Sequence, residues 1–264
     1  MTRRIEFLGV PGVGKSTACE LLLRALRARS VRVQSLDQAA LAVLLRARGF
    51  SALVPLARGV PRRLRLVALR LLDGSAHRRS HAFSAFRADY PEFIDYLFEQ
   101  EDTRISLGRC DSQVVLLWLL RQMWWFQLAV DEVGECDCCV IEEGFASLGL
   151  SFLAYRDVPI TDVWERAVRD YFRCMPAPDA VVVLRAPVEV AFGRMAVRKW
   201  GYPTRMRPLP VIERRAVLVR SARSVEIGTA ELRQRGVNVV EIENERETED
   251  LRSAIEAVAP ALVG

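Results

Sequence analysis

Apolar and polar positions repeat with two periods along this chain, and the changes of period outline its elements. Ile5–Leu8 is a short apolar run ending in glycine, and Ser16–Arg29 then carries Leu21, Leu22, Ala25 and Leu26 at helical spacing. Val31–Leu36 alternates apolar with polar and ends at Asp37, which predicts a second strand. Cys138–Ile141 and Ala180–Leu184 are unbroken apolar runs closed by charge: Glu142 and Glu143 after the first, Arg185 after the second. Strands buried on both faces of a parallel sheet have that character. Helices are expected over Val188–Lys199, opened by Pro187, and over Glu213–Arg235. A last strand over Val237–Ile242 leads to a terminal helix ending near Val258. Five strands alternating with helices predict an α/β fold, a parallel sheet with helices on both faces.

From Gln38 to Glu135 Leu/Ala/Arg-rich helical patterns dominate and no strand stands out. The stretch has no Pro/Gly/Ser tract, so 38–135 reads as a helical insertion within a single domain spanning 1–264. Gly201–Pro210, with one glycine and three prolines, reads as a loop.

Residues 9–16, GVPGVGKS, match G-x-x-x-x-G-K-[ST] between a predicted strand and a predicted helix. Glycines in that setting let backbone N–H groups curl around a phosphate, and the helix N-terminus adds partial positive charge. Lys15 is expected to reach the β- and γ-phosphates of ATP and Ser16 to ligate Mg²⁺, with Gly9, Pro11, Gly12, Val13, Gly14 and Thr17 completing the nucleotide site. In CCVIEE, residues 138–143, an apolar strand delivers acids to the sheet edge where ligands collect. Glu142 is placed to orient magnesium or its waters, and Glu143 to meet substrate or activate water, the plainer alternative being a solvated strand end. Asp37 opens onto the same edge, either as a base for an attacking hydroxyl or as a helix N-cap. Arg194 and Arg198, four apart, are expected to share a helical face and to cover transferring phosphoryl oxygens, with Arg205 and Arg207 in the loop beyond.

Together GVPGVGKST, Asp37, the IEEGF segment and PDAVVVLRAPVEVAFGRMAVRK resemble P-loop kinases of the thymidylate kinase and deoxynucleoside kinase group. There a Pro-Asp pair, an apolar strand and P-x-E-x-A-x-x-R-x-x-x-R introduce a lid; here these fall on Pro178, Asp179, Pro187, Glu189, Ala191, Arg194 and Arg198. The resemblance implies a P-loop NTPase-type five-stranded parallel sheet, ATP with magnesium as donor, and a lid over 194–210. It also implies a small hydroxyl- or phosphate-bearing acceptor, nucleoside-like, nucleotide-like or another small alcohol, held by the inserted helices. It departs from the family after Glu142, where Glu143 and Gly144 replace the usual arginine, and after Asp37, where Gln38 replaces proline. The acceptor is therefore left open. Rival readings are an ATPase that needs no acceptor and a nucleotide-binding regulatory protein; neither N-K-x-D nor L-S-G-G-Q, the marks of a GTPase and an ABC protein, occurs.

Composition adjusts this picture in few places. The 264 residues are 51% hydrophobic and 27% charged, with net charge +5, which excludes a disordered or fibrous chain. Thirty-six arginines stand against two lysines, Lys15 and Lys199, so lysine survives at the one position where a flexible ammonium serves a phosphate best. Between Gln38 and Ala88 lie ten arginines and one acid, Asp73; from Asp89 to Asp102 lie six acids and no base. Charge runs are ordinarily solvated faces, so no nucleic-acid or membrane partner is expected. The apolar stretch Ile5–Val10 is too short for a signal peptide, and Arg121, Gln122 and Gln127 interrupt the longest apolar segment, which predicts a cytoplasmic protein. A homodimer is left open. Cys136, Cys138 and Cys139 lack a second ligand pair at zinc spacing and read as buried strand residues. His77 and His81 lack a third ligand, and Trp118–Phe126 reads mainly as core.

Overall fold

β1 (Arg3–Leu8) buries Ile5, Phe7 and Leu8 completely and forms the centre of a five-stranded sheet. Its order is β2-β3-β1-β4-β5, with β2 (Val33–Ser35), β3 (Cys138–Ile141), β4 (Ala180–Arg185) and β5 (Asn238–Glu243), and every pairing is parallel. The computed structural model describes residues 2–61, 64–65, 68–69, 76–102, 123, 126, 136–155, 159–198, 201–245 and 248–263. In chain order the helices are α1 (Lys15–Ala28), α2 (Leu36–Ala47), α3 (Val54–Gly59), α4 (Ala76–Asp89), α5 (Pro91–Asp102), α6 (Phe145–Leu153), α7 (Asp162–Cys174), α8 (Val188–Ala196), α9 (Val211–Gln234) and α10 (Thr248–Val263). α1 packs with α10, while α6, α7 and α9 pack together as a second layer. The α/β fold with an all-parallel five-stranded sheet therefore agrees with the sequence pattern. Among the described residues no helix is long and apolar enough to cross a membrane.

Several boundaries differ, each for a local reason. The N–H of Ser35 donates to Oε1 of Gln38 at 3.0 Å, half of a capping box, so α2 starts at Leu36 and cuts β2 short. Asp37 thus lies in the first turn of α2 and is neither a strand end nor the N-cap, which is Ser35. α8 stops at Ala196; the Val197 N–H makes its last bond, to Gly193 O at 3.3 Å, and the chain turns away. Arg198 consequently lies beyond the helix and does not share a helical face with Arg194. α10 runs past Val258 because Ala259 and Leu262, both fully buried, carry its apolar stripe through Pro260.

Between β3 and β4, where the pattern predicts no element, lie α6 and α7. α6 is apolar almost all round, with only Ser151 half-buried, and so has no amphipathic period to read. α7 does carry one, in Trp164, Val168, Tyr171 and Phe172, and Thr161 caps it by accepting the Trp164 N–H at 3.3 Å. The expected insertion divides its allegiance. Leu41, Leu44 and Leu45 of α2 gather with Val54 and Leu69 in a small separate cluster. Phe86 of α4 and Phe93, Tyr96 and Leu97 of α5 join the main core, with Phe86 and Phe93 packed against Phe145. Met123 and Phe126 are buried there too; the side chains of His77, His81, Trp118, Trp124 and Trp125, and all of Lys199, lie outside the described residues.

A carboxyl side chain sits inside this core. Glu6, in the middle of β1, is 1% exposed and accepts the Ala146 N–H at the start of α6 at 2.9 Å. Burial raises its pKa from 4.5 to about 7, against the opposing pull of the Ala146 N–H and the Arg4 charge. A carboxyl with a raised native pKa binds its proton more tightly folded than unfolded. Its contribution is therefore complete below about pH 4.5 and is lost as pH rises through 7, an effect of about 3 kcal/mol. Urea denaturation of the wild-type protein and of Glu6→Gln between pH 4.5 and 8 should show this: wild type loses about 3 kcal/mol more than the variant over that range.

Candidate functional site

Parallel pairing of β1 with β3, in the register Glu6 to Ile141, places the segments that follow the two strands side by side at the carboxyl edge of the sheet. Adjacent strand ends whose chains leave toward different helix layers leave a crevice between them. After β1 the chain forms a tight loop, with Val13 N–H donating to Val10 O at 3.2 Å, and α1 starts immediately at Lys15. Gly14 enters the helix at φ +101, and a Cβ there would stand 2.7 Å from Nδ2 of Asn244, so the position suits glycine alone. The first turn of α1 holds no acidic residue, which leaves its N–H groups and partial positive charge to an external anion.

Lys15 folds back under this loop. Its Nζ donates to Gly9 O at 2.5 Å and Val10 O at 3.3 Å. Withdrawal from water draws its pKa down from 10.5 to about 8; Glu143 and Glu142 oppose that fall and Arg198 adds to it. Those three charges therefore all lie within electrostatic reach of the Lys15 ammonium. Beside it the Ser16 hydroxyl donates to Oε1 of Glu142 at 2.5 Å, a contact between residues 126 apart in sequence. Glu142 is half-buried in the turn after β3, and Glu143 next to it is exposed.

The remaining expected site residues part company. Asp37 Oδ2 meets Nε of Arg65 at 2.6 Å, with the side chains only 13% and 11% exposed, and Arg65 also donates to Val60 O. Arg194 Nη1 donates to the carbonyl of Asn244 at 2.7 Å, so it binds the segment after β5. Arg205 donates to Ser151 O at 2.6 Å and stacks over Tyr155, and Arg207 donates to Tyr202 O. Arg198, also of the expected lid, contributes to the field at Lys15. Lys15, Ser16 and Glu142 come together, with Glu143 next to Glu142 and Arg198 acting on Lys15 through its field, whereas Arg194, Arg205 and Arg207 hold backbone carbonyls.

Three residues near the site escaped the sequence reading. Glu6 was visible as a carboxylate interrupting a central apolar strand, a position that burial makes costly. Asn244 follows the last strand at the same sheet edge as the other site residues, and a polar residue there is the signal. Arg65 had no signal, being one of ten arginines in its stretch.

Chemically, the arrangement pairs anion-binding N–H groups and an ammonium with a hydroxyl and a carboxylate on one side. Among the described residues no three His, Cys, Asp or Glu side chains gather to cage a metal. Ser16 and Glu142 instead fit a cation of the magnesium type, which takes one or two protein oxygens and fills its other positions with water and phosphate. No protein-family model matches the chain, and a search of curated proteins finds no match.

The turn bearing the two glutamates is held from below. A Cβ on Gly144 would lie 2.2 Å from Cδ of Glu6, and its three nearest neighbours would all be atoms of that carboxyl. Gly144→Ala should therefore cost about 2 kcal/mol, and in the Glu6→Ala background much less. A double-mutant cycle read by denaturation should return a coupling of about 1 kcal/mol or more between the two positions.

Proposed function

We propose that this chain is an ATP- and magnesium-dependent phosphotransferase, a P-loop kinase resembling the thymidylate and deoxynucleoside kinase group, that transfers the γ-phosphate to a hydroxyl or phosphate of a small acceptor. The contact that carries this reading is the Ser16 hydroxyl on the Glu142 carboxylate at 2.5 Å, beside Lys15 at the head of α1. A serine following the lysine of such a loop and an acid after the neighbouring strand are the pair that holds the cation in this chemistry.

The roles follow from the side chains. N–H groups at the start of α1 bind phosphate oxygens. Lys15 exchanges the carbonyls of Gly9 and Val10 for the phosphates, regaining a full counter-charge for its ammonium. Ser16 and Glu142 would hold magnesium, which when bound supplies neutralisation of β- and γ-oxygens. Arg198, exposed and within the field of Lys15, adds positive charge where the transition state spreads negative charge. Glu143 is the better-placed of the two candidate bases, because it acts on Lys15 while Asp37 is engaged by Arg65.

Hydrolysis without an acceptor is the second reading, favoured by the exposure of Glu143 to water. ADP release over nucleosides, nucleotides, sugars and aminoglycoside-like alcohols, with a no-acceptor control, separates the two. Acceptor-dependent release is expected, and release that ignores every acceptor would favour hydrolysis. With the active acceptor, Glu143→Gln should lower kcat by about 100-fold or more, and Asp37→Asn should leave kcat near wild type. Lys15→Ala should abolish turnover.

A further inference from the structure

Asn244 follows β5 and is 6% exposed, a buried amide outside every role assigned above. Its N–H donates to Arg185 O, at the end of β4, at 2.7 Å. The side-chain Nδ2 donates to Val13 O at 2.6 Å, across 231 residues. Its own carbonyl accepts Nη1 of Arg194, from α8, at 2.7 Å. One residue thus joins the sheet edge, the glycine loop and the helix that leads to Arg198.

The bond to Val13 fixes a direction as well as a position. Val13 C=O and Gly14 N–H belong to one planar trans peptide, so they point in opposite directions. An amide that holds the carbonyl toward Asn244 turns the Gly14 N–H away from it. We infer that Asn244 is a positioning residue for anion binding: by clamping the Val13 carbonyl it aims the Gly14 N–H into the loop, where a polyphosphate oxygen would accept it. This rests on the phosphate-binding part of the proposed function and assigns the glycine loop a clamp supplied by the last strand. The chemistry requires a donor at this place. A carboxylate would set acceptor against acceptor at the Val13 carbonyl, and an apolar side chain would leave that peptide free to rotate. The proximity of Nδ2 to the vacant Cβ position of Gly14 explains why clamp and glycine go together.

Inorganic tripolyphosphate with magnesium probes the loop without any acceptor or base. Calorimetric titration of the full chain should show Asn244→Ala binding it about tenfold more weakly, the worth of one well-made hydrogen bond, and Asn244→Asp more weakly still. The ligand-free melting temperature of Asn244→Ala, which removes one hydrogen bond without burying a charge, should fall by only about 2–4 °C, whereas Asn244→Asp should melt lower because it buries an unpaired carboxylate. With ¹⁵N-glycine labelling, the Gly14 amide proton should shift downfield on addition of tripolyphosphate in wild type and lose that shift in both variants. Wild-type affinity in both variants would overturn the inference. So would affinity losses that merely track losses of ligand-free melting temperature, since a purely structural amide would behave that way. If the wild-type chain itself binds neither tripolyphosphate nor ATP, the phosphate-site reading fails first, which is a different and recognisable result.

Discussion

The parallel pairing of β1 with β3 is the constraint on which the candidate site depends. Its register sets Glu6 against Ile141, so the chain after Leu8 and the chain after Ile141 emerge together. Two contacts at that edge follow, one above the sheet and one within it. Above, Ser16 reaches Glu142 at 2.5 Å. Within, the Glu6 carboxyl meets the start of α6 and occupies the space a side chain at Gly144 would need. A slip of this pairing by one residue would turn Glu6 to the other face and break both. The acid in the core is thus a cost borne where it holds the acidic turn in place. Tyr171, whose hydroxyl donates to Phe145 O at 2.7 Å, secures the same helix start from α7.

Arginine carries much of the remaining architecture, and beside its ion pairs a recurrent task is to satisfy backbone carbonyls. Arg220 donates to Ala154 O after α6, Arg235 to Phe172 O and Met175 O at the end of α7, and Arg214 to Met206 O and Arg207 O before α9. Helix C-termini expose carbonyls that lack partners, and a forked guanidinium can serve two of them at once. A lysine could replace few of these bonds. The proposed phosphate site makes the opposite demand, for a compact charge on a flexible stem able to leave one set of oxygens for another. Lys15 meets it. The excess of arginine over lysine is therefore mainly structural, and the expected lid shows the consequence: Arg194, Arg205 and Arg207 bind carbonyls, while Arg198 acts on Lys15 only through its field.

What the sequence disclosed, and what it hid, follow from the range of the forces involved. Buried strands such as Ala180–Arg185 announce themselves by local hydrophobicity, and the glycine loop by residues whose spacing is fixed within eight positions. The parallel sheet was legible for that reason. α6 was hidden because a helix buried all round has no polar face to set a period. Asp37 was misplaced by one element because Gln38, reaching back to Ser35, starts α2 early. The pairing of Arg65 with Asp37 and the clamp of Asn244 on Val13 join segments 28 and 231 residues apart. Contacts of that kind are decided by the assembled sheet and leave no local trace. Helix termination explains the last difference: nothing in VRK marks a stop, yet α8 ends at Ala196 and removes Arg198 from the face of Arg194.

The proposed function requires Ser16 and Glu142 to form one half of a cation site whose other half is a nucleotide's phosphates. Calorimetric titration of ATP into the wild-type protein and into Glu142→Gln, each with and without magnesium, tests it directly. Magnesium should strengthen ATP binding markedly in the wild-type protein and hardly at all in the variant, with the magnesium-free affinities of the two similar. ATP binding that is indifferent to magnesium in the wild-type chain, or a magnesium effect that survives intact in Glu142→Gln, would contradict it.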